Sequence, residues 1–240
     1  MKKTVKSKEF WPSDVLAARR IQSELRKKIS IRPLKKNPLY VAGVDAAFDR
    51  GVVMATASLF EYPSLIHMAD AVSTDEVRLP YIPGFLSFRE GRASISAIRK
   101  LKQKPDVVIV DGQGIAHPLG IGIASHIGVL LGIPTIGCAK TRLVGEYAEP
   151  GPEKGQWSPL VYKGKQAGAV LRTRDHVRPV FVSPGHLIDL PSCIAILLQC
   201  LTRYRLPEPV RRADHISKEL VRRRTVWYGG ASSDSNKEAD

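Results

Sequence analysis

Cysteine is scarce in this sequence: there are three, and no two of them form a Cys-x-x-Cys pair. That number and spacing argue against a disulfide framework and against a zinc knuckle. Every long apolar stretch carries Gly, Pro or a charge before it reaches about 18 residues, so no membrane span is predicted. The basic N-terminus lacks the apolar segment of a signal peptide. Together these absences predict a cytoplasmic protein with reduced thiols.

Two nucleotide-binding loops are also missing. The glycine-rich segment 112–128 contains neither Gly-x-Gly-x-x-Gly nor Gly-Lys-[Ser/Thr], which excludes a dinucleotide fold and a P-loop. Acidic residues are in the minority, since 23 Asp and Glu face 37 Lys and Arg, and the net charge is +14. Hydrophobic residues make up 43%, enough for a full core. A globular chain with this charge favours a nucleic-acid partner.

The order of predicted elements indicates the fold class. Ser13 is predicted to cap a first helix that runs to about residue 30. Strands are predicted at about 39–48, 51–61, 65–75, 106–111, 134–139 and within 160–182, and further helices at about 84–101, 121–132, 191–203 and 208–224. Three antiparallel strands, a helix and a parallel β-α-β unit form the order of a ribonuclease H-like α/β fold. We expect a central mixed sheet, an antiparallel meander extended by parallel strands, with helices on its flanks.

The chain shows no internal repeat and no linker, which predicts a single domain over residues 13–228. Residues 1–12 are predicted to form a flexible basic arm. Residues 229–240, which begin with two glycines and are rich in serine, are predicted to form a disordered tail.

Three acidic residues lie in unusual settings. Asp45 sits inside an apolar run, Asp111 ends another, and Glu90 lies between them in Phe88-Arg89-Glu90. A carboxylate in a buried strand is costly unless a positive charge pairs with it. Taken singly, each acid also fits a plainer role, as a turn cap or an exposed helix residue. The three together predict a divalent-cation site of the kind that assists phosphodiester chemistry.

The last predicted helix offers a fourth acid. At about 100° per residue, Asp214 falls beside the apolar stripe that contains Val210 and Val221, whereas His215 points nearly opposite. We therefore expect Asp214 to face inward and His215 to be a surface residue. Lys140 ends a buried strand, and two interpretations stay open: an edge lysine with its charge at the surface, or a side chain that reaches a scissile phosphate.

The segment Pro80-Tyr81-Ile82-Pro83 is stiff, because two prolines fix the backbone on either side of an aromatic and a β-branched residue. One interpretation is a rigid crossover loop with a packed tyrosine. The other is a wedge that enters a base stack.

Together these motifs resemble the endonuclease V family over about residues 40–224. The matching segments are Gly43-Val44-Asp45, Pro80-Tyr81-Ile82-Pro83-Gly84, Phe88-Arg89-Glu90, Val110-Asp111-Gly112-Gln113-Gly114 with His117-Pro118, Gly122-Ile123-Ala124-Ser125-His126, Ala139-Lys140, Val182-Ser183-Pro184-Gly185-His186 and the Arg-x-Ala-Asp pattern ending at Asp214. The resemblance implies a ribonuclease H-like DNA repair endonuclease that recognises deaminated bases, chiefly deoxyinosine. It also implies cleavage of the second phosphodiester bond on the 3′ side with Mg²⁺, for which Mn²⁺ can substitute.

The resemblance also implies roles for individual residues. Asp45 and Asp111 look like the metal ligands, Glu90 completes the acidic site, and Lys140 looks like the active-site lysine. Asp214 looks like the fourth acidic position, which is sometimes histidine in the family. Tyr81 looks like the wedge. A base pocket is expected from Gly84, Leu86, Gly112, Gly122 and Ile123, because glycines permit close backbone approach.

The expected partner is DNA that contains deaminated bases, cut by a monomer to leave a 3′-hydroxyl and a 5′-phosphate. RNA that contains inosine stays open as a second substrate. Two alternatives also stay open: a module that binds damaged nucleic acid without cutting it, and a junction resolvase or RNA-cleaving enzyme on the same fold. Four intact acidic positions speak against the first, since a binding protein has no need of carboxylates beside phosphate.

Overall fold

A computed structural model describes residues 11, 12 and 14–230, in which eight strands and five helices are present. The strands are β1 (Tyr40–Asp49), β2 (Val52–Glu61), β3 (His67–Glu76), β4 (Val107–Val110), β5 (Thr135–Ala139), β6 (Trp157–Tyr162), β7 (Lys165–Leu171) and β8 (Val180–His186). The helices are α1 (Val15–Arg26), α2 (Leu86–Lys100), α3 (Ile123–Leu131), α4 (Leu190–Gln199) and α5 (Glu208–Gly230). All eight strands belong to one sheet in the order β3-β2-β1-β4-β5-β8-β7-β6.

The sheet is mixed, as predicted. Strands β1, β2 and β3 form the antiparallel meander, and β4 and β5 extend it in parallel from β1. Arg50 and Gly51, with φ of 43° and 77°, make the tight turn between β1 and β2. That turn suits the right-handed twist of a hairpin. Strand β8 then returns antiparallel to β5.

The pleat of β1 and β4 decides where their acids point. The parallel register pairs the residues that directly precede Asp45 and Asp111, so these two aspartates lie side by side. Val41 on β1 and Val107 on β4 belong to the core cluster that also contains residues of α4 and α5. Side chains two residues apart on a strand share a face. Asp45 and Asp111 therefore point to the layer of α5.

Helix α5 crosses β1 at very short distance. A Cβ at Gly43 would lie 2.0 Å from the backbone carbonyl carbon of Pro209, so only glycine fits there. Val210, Ala213 and Ser217 are fully buried and form the inner face of the helix. This close crossing brings polar side chains of α5 next to the acids of β1 and β4.

The other face of the sheet is covered by α2 and α3, with α1 packed against α3. Trp11 also belongs to this layer: it is buried and stacks on His126, with ring centroids 5.1 Å apart. This position is contrary to the prediction that Trp11 lies in a flexible arm. Residues 1–10 of that predicted arm lie outside the described residues.

Helix α1 differs from the prediction at both ends. Its N-cap is Asp14, whose carboxylate accepts the Ala17 N–H at 2.8 Å, and Ser13 lies outside the described residues. The helix ends at Arg26 instead of about residue 30. There the N–H of Lys28 bonds to the carbonyl of Leu25, three residues back, and such tightened bonds close the last turn of many helices.

Helix α5 runs to Gly230, past the predicted end at residue 224 and into the predicted tail. The remaining tail residues, 231–240, lie outside the described residues. Within the part of the chain that the structure describes, no helix has the length and apolar character needed to cross a bilayer.

Candidate active site

Three carboxylates from three separate elements meet on the α5 side of the sheet. Asp45 lies on β1, Asp111 directly follows β4, and Asp214 lies in the first half of α5. One oxygen atom of each lies within 4.8 Å of the other two. A set of carboxylate oxygens without sulfur or imidazole suits a hard divalent cation such as Mg²⁺ better than zinc. We call these three residues the acidic triad.

The charges of the triad oppose one another, which favours a cation. Burial raises the pKa of Asp45 to about 7, and the neighbouring Asp111 adds to that rise. A hydrogen bond of 2.5 Å from the Ser217 hydroxyl to Asp45 acts in the opposite direction. Bringing a divalent cation between these oxygens would remove the repulsion. The donor set and its charge therefore fit a bound metal ion.

Lys140 connects two members of the triad. Its ammonium lies 2.5 Å from Asp111 and 2.7 Å from Asp214. Burial alone would lower the pKa of Lys140, but the attraction and hydrogen bonds of the two aspartates raise it. Arg205 holds the backbone there, because it donates to the carbonyl oxygen of Lys140 at 2.8 Å. The Lys140 side chain thus points into the site, toward Asp111 and Asp214.

Glu90 lies on α2 and is buried, with 6% of its surface exposed. It is not part of the triad. Burial raises its pKa well above the usual range, and repulsion from Asp45 and Asp111 adds to the effect. Both effects favour the neutral, protonated carboxyl at this position.

The helical phase predicted for α5 is confirmed. Asp214 faces Lys140 and the other acids, whereas His215 is exposed and lies 3.8 Å from Glu219. Burial alone would raise the pKa of Asp214, but hydrogen bonds from Lys140 and Lys218 outweigh burial and lower it.

Ser217 and Lys218 are residues of this site that the sequence analysis missed. Lys218 donates to both carboxylate oxygens of Asp214, at 2.8 and 2.7 Å. Their positions three and four residues after Asp214 were a usable signal, because side chains at that spacing share a helix face.

A cavity of about 380 Å³ opens beside the triad, and we name it the base cavity after the base pocket predicted from the sequence. Asp111 and Lys140 form part of its wall, so a group held in it lies next to the acids. All five residues predicted for a base pocket line it: Gly84, Leu86, Gly112, Gly122 and Ile123.

Two helix N-termini contribute to the base cavity. Leu86 is the first residue of α2 and Ile123 is the first residue of α3. The first N–H groups of a helix have no acceptor within it, and the helix dipole makes that end positive. Gly112 has a φ of +153°, and a Cβ on it would lie 2.6 Å from a methyl group of Ile123. The starts of two helices therefore lie at the cavity wall, and its size depends on a glycine.

The segment Pro80-Tyr81-Ile82-Pro83 forms the rim of the base cavity, which Tyr81 and Ile82 line. Tyr81 is 64% exposed, so most of this residue faces solvent. The Arg89 guanidinium lies 4.1 Å from the ring centroid of Phe48 and 5.8 Å from that of Tyr81. Arg89 thus connects the segment to β1.

The Gly84 carbonyl, at the end of this segment, is held from two sides. Gln22 of α1 donates to it at 2.8 Å, and Nε2 of His117 lies 3.0 Å from it. Nδ1 of His117 accepts the N–H of Leu119, so Nε2 carries the proton. Burial lowers the pKa of His117 to about 4, which keeps the ring neutral. These contacts position the segment, and the sequence analysis did not find them because they join distant residues.

His126, a buried residue of α3, also positions part of the cavity wall through a hydrogen bond. Its Nδ1 lies 3.0 Å from the hydroxyl of Ser87, a residue that lines the base cavity. Burial lowers the pKa of His126 to about 3, so the ring is neutral. Together with Trp11, it fixes the start of α2 against α3.

A ribonuclease H-like sheet with an acidic triad and a lysine at its central strands defines the class of this protein: a metal-dependent nuclease. A family model described as Endonuclease V matches residues 23–215. The chain therefore belongs to the endonuclease V family, whose members are DNA endonucleases.

Individual relatives agree with this assignment. A protein named Endonuclease V from Geotalea uraniireducens (strain Rf4) is 50% identical over 210 residues, which cover 88% of this chain and 90% of the relative. The crystal structure of an endonuclease V from Streptomyces avermitilis matches with a TM-score of 0.85 and 40% identity, covering 90% of this chain and 96% of that one. The Ciona intestinalis endonuclease V, solved with a 24mer DNA containing an inosine followed by a ribo-adenosine, matches with a TM-score of 0.74 and 25% identity, covering 87% and 98%.

Proposed function

We propose that this protein is a DNA repair endonuclease that recognises deaminated bases, chiefly deoxyinosine. It hydrolyses the second phosphodiester bond on the 3′ side of the lesion and leaves a 3′-hydroxyl and a 5′-phosphate. The observation that carries the proposal is the base cavity, which lies directly beside the acidic triad and shares Asp111 with it. The inosine-containing DNA bound to the Ciona intestinalis relative supports the choice of base.

The donors of the base cavity explain a preference for hypoxanthine. Hypoxanthine carries an O6 acceptor where adenine carries an N6 amino donor. The N-terminal N–H groups of α2 and α3 at Leu86 and Ile123 would pair with O6 and would be left without a partner beside an amino group. Gly84, Gly112 and Gly122 let the backbone come close enough for such contacts.

Mg²⁺ is the proposed cofactor, and Mn²⁺ can substitute for it. Asp45, Asp111 and Asp214 would hold it. When bound, such a cation polarises the scissile phosphate and lowers the pKa of a water molecule. Lys140, whose ammonium lies between Asp111 and Asp214, supplies positive charge for the phosphate oxygens. Glu90, buried close to Asp45, completes the acidic site.

Tyr81 is the proposed wedge. A base in a duplex must leave its stack to enter the cavity, at a cost of a few kcal/mol. The exposed Tyr81 ring, between the stiff Pro80 and Pro83, would fill the gap with little loss of conformational entropy. The net charge of +14 provides the general attraction to phosphate.

Inosine-containing RNA is a second proposed substrate, since none of these features depends on the sugar of the lesion nucleotide. We also propose that the protein acts as a monomer in the cytoplasm. Cys138, Cys193 and Cys200 are all buried and unpaired, which supports a reducing compartment.

The decisive test uses end-labelled oligonucleotides of one sequence that carry inosine or adenosine, as DNA and as RNA, with and without Mg²⁺. The proposal predicts one Mg²⁺-dependent cut, at the second bond 3′ to inosine, and none in the adenosine control. Inosine-specific binding without cleavage would instead identify a binding module. Cleavage that ignores the base would identify a nuclease of another specificity.

A further inference from the structure

A second cleft, of about 410 Å³, lies next to the base cavity, and we call it the flanking cleft. Gly84 and His117 line both the base cavity and the flanking cleft. The hydrogen bond between these two residues therefore lies in the wall that separates the two spaces. Pro83 and Phe85 line the flanking cleft, whereas Tyr81 and Ile82 line the base cavity. The chain at 81–85 therefore presents one face to each space.

The charge of the flanking cleft comes from α1. Arg19 and Arg26 line it, and they are seven residues apart, about two helical turns, so they lie on one face of the helix. Neither arginine forms an ion pair with another described residue, and no carboxylate is among the wall residues. Arg212 on α5, by contrast, is paired with Asp70 at 2.6 Å. Two unpaired guanidinium groups at one cleft are suited to phosphate.

Beside the arginines and the polar residues Gln22, Ser23 and His117, the wall of the cleft is apolar. Pro83 and Leu119, whose side chain is 41% exposed, are at the surface, and the Phe85 ring lies 6.0 Å from the Arg19 guanidinium. Flat apolar surface beside fixed positive charge is the combination that accommodates a base or sugar together with its phosphate.

We propose that the flanking cleft binds the DNA strand opposite the lesion, with Arg19 and Arg26 on its phosphates. This inference rests on the proposed function. When the segment at residues 80–83 enters a duplex, the lesion base turns into the base cavity on one face of that segment. The other strand then lies toward the other face, where the flanking cleft is. Contact with both strands would hold the opened duplex apart.

The test compares Arg19→Gln/Arg26→Gln with a matched control, Arg20→Gln/Lys28→Gln. The control removes the same charge from exposed positions on or next to α1 that do not line the cleft. Binding is measured in chelator, so that nothing is cut, by fluorescence anisotropy with one labelled inosine oligonucleotide as a single strand and as a duplex. A melting curve checks that each variant folds.

The proposal predicts that the cleft variant binds the duplex about tenfold more weakly while its affinity for the single strand changes no more than that of the control. The slope of log affinity against log salt on the duplex should fall by about one to two. An equal loss on both probes, or a duplex loss no larger than that of the control, would overturn the assignment to the opposite strand. Cleavage of the same duplex by the wild type in Mg²⁺ tests the proposed function separately, so the two failures are distinguishable.

Discussion

Burial and the like charge of Asp111 combine at Asp45, whose pKa they raise to about 7. Asp45→Asn keeps the size of the side chain but removes a charge that a metal ion needs. We expect cleavage to fall at least about 100-fold. The melting temperature in chelator should stay equal or rise by a few degrees, because repulsion with Asp111 is gone. Glu76→Gln on β3 is the control, because it also removes one carboxylate charge. Near-normal cleavage by Asp45→Asn would show that Asp45 is not a metal ligand.

Asp214 and His215 are neighbours with opposite orientations, which makes them a matched pair. Asp214→Ala removes a carboxylate of the triad and a partner of Lys140, so cleavage should fall by about the same factor as in Asp45→Asn. His215→Ala removes an exposed side chain and should change the rate less than about twofold. Single-turnover rates decide the ranking, and a larger loss in the histidine variant would contradict it.

A substitution at Tyr81 distinguishes the two interpretations of this segment, a wedge and a packed loop. Because this residue is 64% exposed, Tyr81→Ala should melt within about 2 °C of the wild type. The variant should bind the inosine duplex about tenfold more weakly, with a much smaller loss on single-stranded inosine, where less unstacking is needed. Equal losses on both substrates together with a lower melting temperature would indicate a packing role.

The N-termini of α2 and α3 form part of the wall of the base cavity. Gly112 lacks a side chain, which leaves room next to Ile123 at the start of α3. Gly112→Ala places a Cβ 2.6 Å from a methyl group of Ile123 and narrows the cavity at that point. Gly132→Ala, at the end of α3, is the control, because it also has a positive φ of 67° but open space around it. Both should lose about 1 kcal/mol of stability from backbone strain. Cleavage of inosine DNA should fall at least tenfold in Gly112→Ala but not in Gly132→Ala. Equal cleavage rates in the two variants would show that the base binds outside this cavity.

At the scale of the whole molecule, we expect metal binding to be coupled to folding through the triad, whose members come from β1, the end of β4 and α5. A cation that bridges these elements stabilises only the folded chain. At about 100 times its dissociation constant, Mg²⁺ should add about 2.7 kcal/mol, or roughly 5–10 °C in melting temperature. The shift should be lost in Asp111→Asn. Differential scanning fluorimetry with Mg²⁺ against a chelator measures it, and an unchanged shift in that variant would place the ion at another site.

The sequence by itself determined the features that depend on local pattern. The meander β1–β3 and the strands β4 and β5 followed from runs of apolar residues broken by turns, and the phase of Asp214 followed from helical geometry. Side-chain directions in strands and helices repeat every two or every 3.6 residues or so, and that repeat needs no knowledge of the rest of the chain. Asp45 and Asp111 could be predicted as site residues for a similar reason, since a carboxylate interrupts or ends an apolar run in the sequence.

Only the tertiary structure decided which distant groups meet. The bond from Ser217 to Asp45 joins residues 172 positions apart, and those of Lys140 depend on how α5 crosses β1 at Gly43. The stacking of Trp11 on His126 and the walls of the flanking cleft likewise bring together distant parts of the chain. Such contacts carry no periodic signal in the sequence, because their energy arises only after the sheet and its helices have closed around them.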